Sequence, residues 1–157
     1  MASFFLVRHG RYDYSTKELT KAGREIDAPA ALNDLLLKGL GQGALILSSS
    51  ARRALQTAEV IAEGLSSEVI SSEMIEAGGS DVWGVRDLDE YIGRALSQGN
   101  AELQEDGELV VVTHAPMVAA AMGMHGSDAA DLIRYGQVVE YQTGTWTNPK
   151  FRASLEI

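Results

Sequence analysis

Short apolar runs of strand length alternate with longer stretches of helical period along this chain. The runs at 3–7, 44–47 and 109–113 are too short for helices, and the last is dominated by β-branched residues. A run at 69–70 is shorter but similar in character. Buried strands that are separated by helices pair in parallel, with helices on both faces of the sheet. The pattern therefore predicts an α/β fold, a three-layer αβα sandwich around a mostly parallel central sheet.

The stretches between the apolar runs have the spacing of helices with one apolar side. Thr20 is placed to cap the first of them, since a threonine oxygen accepts from the free amides of a first helical turn. Gly39, Gly41 and Gly43 end that helix. The segment 137–157 alternates loosely and predicts a final hairpin or two edge strands. The predicted helices cover 22–37, 51–65, 87–103 and, after Pro116, 117–124.

Length and composition limit the classes of function. A chain of 157 residues fits a single domain, here 1–157. The net charge of −9 argues against nucleic acid and an anionic membrane as partners. The absence of cysteine excludes disulfides, thiolate metal sites and cysteine nucleophiles. No stretch approaches the ~20 apolar residues of a membrane span, and no signal peptide is visible, so a cytoplasmic location is expected.

Polar residues that suit an anionic ligand follow three of the predicted strands. Arg8 and His9 follow the first strand, the segment 48–53 follows the second, and His114 follows the strand at 109–113. Ligands of parallel sheets bind beyond the carboxyl ends of the strands, so these side chains are expected to meet. Guanidinium groups match phosphate oxygens, and imidazole is an effective nucleophile near neutral pH. The convergence predicts a pocket for phosphoryl transfer.

Four segments of the chain form a set of motifs in a fixed order. They read F-L-V-R-H-G at 5–10, L-T-K-A-G at 19–23, S-S-A-R-R-A-L-Q-T-A at 49–58 and V-V-V-T-H at 110–114. The set resembles the motifs of the histidine phosphatase superfamily, the phosphoglycerate-mutase-like enzymes. An R-H-G tripeptide alone is a weak signal, but four segments in order, each in its expected structural context, are specific. The resemblance covers most of 3–124.

The resemblance implies a role for each matching residue. His9 would be phosphorylated during turnover, and Arg8 and Arg53 would bind the phosphate. His114 would be a further donor on the opposite side of the phosphate. In the second motif the arginine directly before the alanine is the matching one, which is Arg53. The neighbouring arginines that are expected at the rim of the pocket are Arg11 and Arg52.

The proton donor is the least regular part of the resemblance. Many family members carry a glutamate in an L-x-E-x-x-x-G segment, which residues 74–79 match approximately. Glu76 is therefore the candidate acid, with Glu73 and Asp81 behind it. Larger relatives insert a cap before the second histidine, and this chain is too short for a large cap domain. No cofactor is expected, and a metal site is unsupported because none of the three histidines forms an i, i+4 pair.

A short form without a cap is similar to the SixA-type phosphohistidine phosphatases. A phosphohistidine leaves as neutral imidazole once its second ring nitrogen is protonated, so it depends less on an enzyme acid. The favoured function is a phosphatase that acts on phosphohistidine in a partner protein. The alternatives are a phosphomonoesterase for a small phosphate ester and a catalytically weak phosphate-binding scaffold. The rate of such an enzyme is expected to decline in acid as His9 becomes protonated.

Each candidate residue also has a structural interpretation. His9 and His114 would serve as caps at the strand ends, and the arginines as solvated surface charges, if no anion bound there. Glu76 would then be an ordinary loop carboxylate. The remaining polar and aromatic residues to which a structural role is assigned are His125, near a helix end, and the packing residues Trp83 and Trp146.

Overall fold

Five strands form one sheet in the part of the chain that the computed structural model describes, residues 3–41, 43–73, 108–122 and 129–140. The strand order is β3-β2-β4-β1-β5. All neighbouring strands are parallel except β5, which pairs antiparallel with β1 at the sheet edge. The mostly parallel sheet that the sequence predicts is confirmed. The strands are β1 Ser3–Arg8, β2 Leu45–Ser49, β3 Val69–Ser72, β4 Glu108–Thr113 and β5 Val138–Glu140.

The helices follow the predicted pattern within a few residues. Their bounds are α1 Ala28–Leu37, α2 Arg52–Leu65 and α3 Ala115–Ala121, and a 3₁₀ helix covers Ala129–Leu132. Helix α3 includes Pro116 in its first turn, where the missing N–H of a proline leaves no helical bond unmade. The predicted helix at 87–103 lies outside the described residues, as do the tail beyond 140 and the region in which a cap would be inserted.

The chain before α1 differs from the regular helix that the sequence predicts. Thr20 caps the helical segment as expected, since its Oγ1 accepts from the N–H of Gly23 at 3.0 Å. A π-helical turn, Gly23–Asp27, then precedes α1. Such a turn inserts an extra residue into the helix. Here it accompanies a tight contact with the chain after β1, because Gly23 packs against the backbone of Arg11 and Asp27 binds the same residue.

Both faces of the sheet are buried. Alternate residues of β1, β2 and β4 form one cluster with the apolar side of α1 and α2. The intervening residues of these strands are also buried, and α3, which is absent from that cluster, packs against β1. The buried side chains on the two faces are Phe5, Val7, Ile46, Val110 and Val112 on the first and Phe4, Leu6, Leu47, Leu109 and Val111 on the second.

The register of the three central strands aligns their carboxyl ends. Arg8 of β1 lies opposite Thr113 of β4, and Ser48 of β2 lies opposite Val112. Because β4 lies between β1 and β2, the residues after all three strands emerge side by side at the same level of the sheet. This is the edge at which the sequence places its polar motifs.

We predict that Gly23→Ala destabilises the fold by about 1–3 kcal/mol, the usual cost of overpacking a tight interior. A Cβ at this position would lie 2.1 Å from the carbonyl oxygen of Arg11, which is backbone and has little freedom to move. Gly41→Ala is the matched control, because the nearest atom to its Cβ would be Glu108 Oε1 at 3.9 Å. Urea unfolding of both variants measures the difference, and equal midpoints would contradict the prediction.

Candidate active site

His9 stands directly after β1 and is buried, with 4% of its surface exposed. Its backbone N–H donates to the carbonyl of Thr113 at 3.1 Å, which continues the pairing of β1 with β4 by one residue. The rings of His9 and His114 lie 5.2 Å apart between centroids. The structure therefore brings the two histidines together at the edge where the sequence places them.

The ring of His9 is held in one tautomer. Its Nδ1 lies 2.9 Å from the carbonyl oxygen of Gly10. A carbonyl oxygen only accepts hydrogen bonds, so Nδ1 carries the proton and Nε2 presents a lone pair. The Nε–H of Arg53 donates to this nitrogen at 3.3 Å. The nitrogen available to attack an electrophile thus faces a guanidinium group, which is where a phosphoryl oxygen would bind.

Burial lowers the pKa of His9 from 6.5 to about 3. Loss of hydration is the main cause, because it disfavours the charged imidazolium. The positive charges of His114, Arg53 and Arg8 act in the same direction, and the hydrogen bond to Gly10 opposes them. His9 is therefore a neutral imidazole throughout the ordinary pH range.

Each of the two pocket arginines stacks on a tyrosine. The Cζ of Arg8 lies 3.9 Å from the ring centroid of Tyr135, and its Nη1–H donates to the carbonyl of Ile133. The Cζ of Arg53 lies 4.7 Å from the ring centroid of Tyr12. In these contacts the flat face of each guanidinium group packs on a ring. The N–H donors at the edge of the guanidinium group then remain available to an anion. The buried Nε–H of Arg8 has no acceptor within the described part of the chain.

Ser49 orients His114. Its Oγ lies 2.9 Å from His114 Nε2 and accepts from the N–H of Ala51 at 3.2 Å. The side chain of His114 does not cap α3, so the capping role considered from the sequence is not supported. Ser49 is fully buried at the end of β2, and its hydroxyl contacts the imidazole of His114 at the same edge of the sheet.

Two residues of the second motif make hydrogen bonds that the sequence analysis did not predict. Thr57 accepts from the N–H of Gly10 at 3.0 Å and donates to the carbonyl of Arg53 at 2.8 Å. Gln56 accepts from the N–H of Leu19 at 2.7 Å. The Q-T pair of α2 thus ties the R-H-G turn and the L-T-x-x-G element to one helix. The motif itself was the available signal for these roles.

No comparable signal existed for the two tyrosines. Tyr135 lies in the loop before β5, far from every motif in the sequence, and only the pairing of β5 with β1 brings it to Arg8. Tyr12 follows the R-H-G turn, and its ring contacts His9 edge to face at a centroid distance of 5.3 Å.

The remaining candidates lie at the rim or outside the described residues. Arg52 is exposed and pairs with Glu18 at 3.3 Å, and Arg11 pairs with Asp27 at 2.9 Å. Glu73 is exposed. The described ranges contain no group of three His, Cys, Asp or Glu residues that could hold a metal, and no helix in them is long and apolar enough to cross a membrane. The candidates outside the described residues are Glu76, Asp81, Trp83, His125 and Trp146.

Neither a family model nor a curated protein matches the sequence, but solved structures do. YhfR of Bacillus stearothermophilus shares 18% identity at a TM-score of 0.62, with 89% of this chain and 90% of that chain covered. A mycobacterial glucosyl-3-phosphoglycerate phosphatase shares 19% identity at a TM-score of 0.58, with 88% of each chain covered. SixA of Agrobacterium tumefaciens, assigned as a phosphohistidine phosphatase, shares 19% identity at 0.55, again with 88% of each chain covered. This chain has the histidine phosphatase fold.

The histidine phosphatase fold accounts for the order of the motifs along the chain. The R-H-G turn follows β1, the second motif spans the end of β2 and the start of α2, and the second histidine follows β4. The resemblance drawn from the sequence is therefore confirmed at the level of the fold. It is the strand order, with β4 between β1 and β2, that converts three distant motifs into one pocket.

We predict that His9 makes the fold less stable as the pH falls. The pKa of His9 is about 3 in the native state against 6.5 in the unfolded chain, so the unfolded chain binds more protons between these values. The free energy of unfolding of wild type, relative to His9→Asn, should fall by about 2 kcal/mol between pH 7.5 and pH 5. Urea unfolding without phosphate in the buffer measures it, and a pH-independent difference would contradict the lowered pKa.

Proposed function

We propose that this protein is a phosphatase in which His9 receives the phosphoryl group. The observation that carries the proposal is the lone pair of His9 Nε2, which is held in place by the Nδ1 hydrogen bond to Gly10 and faces Arg53. A nucleophile of fixed tautomer beside fixed positive charge is what phosphoryl transfer requires, because the chemistry depends on positioning and electrostatic stabilisation.

The proposed reaction has two steps, transfer of the phosphoryl group to His9 and its hydrolysis. A phosphoryl oxygen of the substrate takes the place of His9 Nε2 as acceptor for Arg53, and Nε2 attacks phosphorus while the bond to the leaving group breaks. An ester leaving group takes its proton from Glu76, the candidate acid, whereas a phosphohistidine with a protonated ring leaves directly as neutral imidazole. In both cases the enzyme then carries a phosphohistidine. Water then attacks the phosphorus, the bond to Nε2 breaks, and inorganic phosphate and neutral His9 are restored. Arg8, Arg53 and His114 stabilise the charge on the equatorial oxygens in both steps.

The local field of the pocket favours a phosphate although the chain is acidic. Two guanidinium groups flank a neutral imidazole, and neither forms an ion pair within the described ranges, so an incoming dianion meets positive charge at short range. The same cations that lower the pKa of His9 are the groups that would bind the phosphate. One arrangement therefore both keeps the nucleophile unprotonated and attracts its substrate.

We propose phosphohistidine on a partner protein as the substrate. A phosphohistidine with a protonated ring leaves as neutral imidazole, which reduces the need for an enzyme acid. The similarity to SixA, which is assigned as a phosphohistidine phosphatase, supports this choice. The similarity to a glucosyl-3-phosphoglycerate phosphatase supports a small phosphate ester as the second candidate. For an ester, Glu76 is proposed as the proton donor.

We predict that His9→Ala abolishes turnover of both a phosphohistidine-bearing protein and an aryl phosphate, with a loss of about 10⁴-fold or more, as for loss of a nucleophile elsewhere. Arg53→Ala should reduce kcat/KM by about 10²–10³-fold, as for loss of one transition-state donor. Arg52→Ala is the matched control: this neighbouring arginine is exposed and pairs with Glu18, so its loss should change the rate by about threefold at most.

The outcomes of this experiment separate the candidates. A higher kcat/KM for the phosphohistidine protein supports the proposed substrate, and a higher value for the aryl phosphate moves the function to small esters. Binding of phosphate without turnover of either compound would identify a scaffold. Turnover that survives in His9→Ala would refute His9 as the nucleophile.

The pH profile is predicted to differ from that of an ordinary histidine. With the pKa of His9 lowered to about 3, kcat/KM should not fall between pH 7 and pH 5 once the ionisation of the substrate is divided out. The decline in acid that the sequence predicts is thus expected below pH 5, where His9 approaches its lowered pKa. For an alkyl phosphate, Glu76→Gln should lower kcat/KM, because it removes the proposed proton donor. A corrected decline centred near pH 6.5 would contradict the first expectation, and an unchanged kcat/KM for the alkyl phosphate in Glu76→Gln would contradict the second.

A further inference from the structure

The buried carboxylate of Asp27 accepts hydrogen bonds from the turn that follows His9. Asp27 is 7% exposed and comes from the π-helical turn before α1. Its Oδ2 accepts from the backbone N–H of Arg11 at 2.8 Å and from Arg11 Nε at 2.9 Å, and its Oδ1 accepts from Arg11 Nη2 at 3.1 Å. None of the motifs includes Asp27, and the phosphoryl-transfer steps do not use it.

One peptide group connects Asp27 to His9. The carbonyl of Gly10 and the N–H of Arg11 belong to the same peptide bond. The carbonyl accepts from His9 Nδ1 at 2.9 Å, and the N–H donates to Asp27 Oδ2 at 2.8 Å. The three groups therefore form a continuous chain of hydrogen bonds, carboxylate to peptide to imidazole.

We propose that Asp27 is a positioning residue that holds the tautomer of His9 through the peptide between Gly10 and Arg11. A hydrogen bond from the peptide N–H to a carboxylate is charge-assisted and polarises the peptide, which makes its carbonyl oxygen a stronger acceptor. A stronger acceptor retains the proton on Nδ1 and so keeps the lone pair on Nε2. The inference rests on the proposed function in one respect, that His9 is the nucleophile.

Packing restricts the turn that contains this peptide. The N–H of Gly10, which belongs to the preceding peptide, donates to Thr57 Oγ1 at 3.0 Å, so α2 fixes the turn from the other side. A Cβ on Gly10 would lie 2.9 Å from the carbonyl oxygen of Gly23 and 3.2 Å from the Cβ of Asp27. The π-helical turn therefore packs directly on Gly10. With the preceding peptide bound by Thr57 and the next one by Asp27, the turn has little freedom to rotate, and the hydrogen bond from Asp27 acts on the ring through a fixed peptide.

The chain offers a control that separates the peptide route from the ion pair. The proposed route uses the backbone N–H of Arg11, whereas the ion pair uses its half-exposed side chain. Arg11→Ala removes the ion pair and retains the backbone hydrogen bond to the carboxylate. Asp27→Ala removes both. If Asp27 only served the ion pair, the two variants would behave alike.

The experiment is ¹⁵N NMR of histidine-labelled protein at neutral pH together with steady-state kinetics. In wild type and Arg11→Ala, His9 should be the Nδ1–H tautomer, and the two kcat values should agree within about threefold, the range of an exposed ion pair. In Asp27→Ala the Nε2–H tautomer should gain population, and kcat should fall by about 10- to 100-fold, as for loss of other groups that orient a reacting ligand. KM should stay within about twofold of wild type, since the phosphate-binding arginines are untouched.

Asp27→Asn keeps the test decisive if Asp27→Ala does not fold. The asparagine oxygen can still accept from the N–H of Arg11 but carries no charge, so this variant should lie between wild type and Asp27→Ala in both tautomer population and kcat. An Asp27→Asn protein that matches wild type in both would overturn the proposal. So would equal effects of Asp27→Ala and Arg11→Ala. The NMR measurement of the tautomer needs no substrate. A wild type without phosphatase activity would therefore refute the proposed function, while the tautomer populations would still test the role of Asp27.

Discussion

The parallel pairing of β4 between β1 and β2 is the constraint on which the rest of the molecule depends. Three motifs that are distant in sequence follow these strands, and the register brings their first residues to one level. A shift of the register by one residue would exchange the side chains of a strand between the two packed faces of the sheet and separate the two histidines. The core side chains that pack under α1 and α2 fix the register of the strands. The same register determines where His9 and His114 lie along the edge of the sheet.

Burial and charge act together on the imidazole. A histidine at an exposed turn beside two arginines would lose little of its basicity, because water screens the neighbouring charges. At 4% exposure the ring loses its own hydration and feels those charges through a less polar medium. The fold thus obtains a neutral imidazole from its position, and no base within the described residues contacts its Nε2. A ligand that accepted a hydrogen bond from Arg53 would replace His9 Nε2 as the acceptor.

Much of the fold and the location of the site followed from the sequence. Periodicity predicts the described strands and helices because the central strands β1, β2 and β4 are buried on both faces and α1 and α2 pack with one apolar side. The motifs name the residues that meet. The π-helical turn was not predictable, since it depends on the fit of Gly23 against Arg11 rather than on any local preference. Tyr135 was not predictable either, because no local pattern indicates which distant ring will face Arg8. Sequence patterns therefore indicate the residues that converge at the edge of the sheet and miss distant residues, such as Tyr135, that contact them.

The strand that carries the R-H-G turn is synthesised well before the two strands with which it pairs. Ser3 pairs with Glu108, 105 positions later, and the other neighbour of β1 begins only at Val138. A ribosome that adds about 5–20 residues per second needs roughly 5–20 s to cover the first interval. Throughout that time the apolar strand 3–8 has neither of its native neighbours, and a free apolar edge can pair with the wrong chain. A fragment that holds Arg8 and Arg53 but ends before β4 therefore lacks both the native neighbour of β1 and His114.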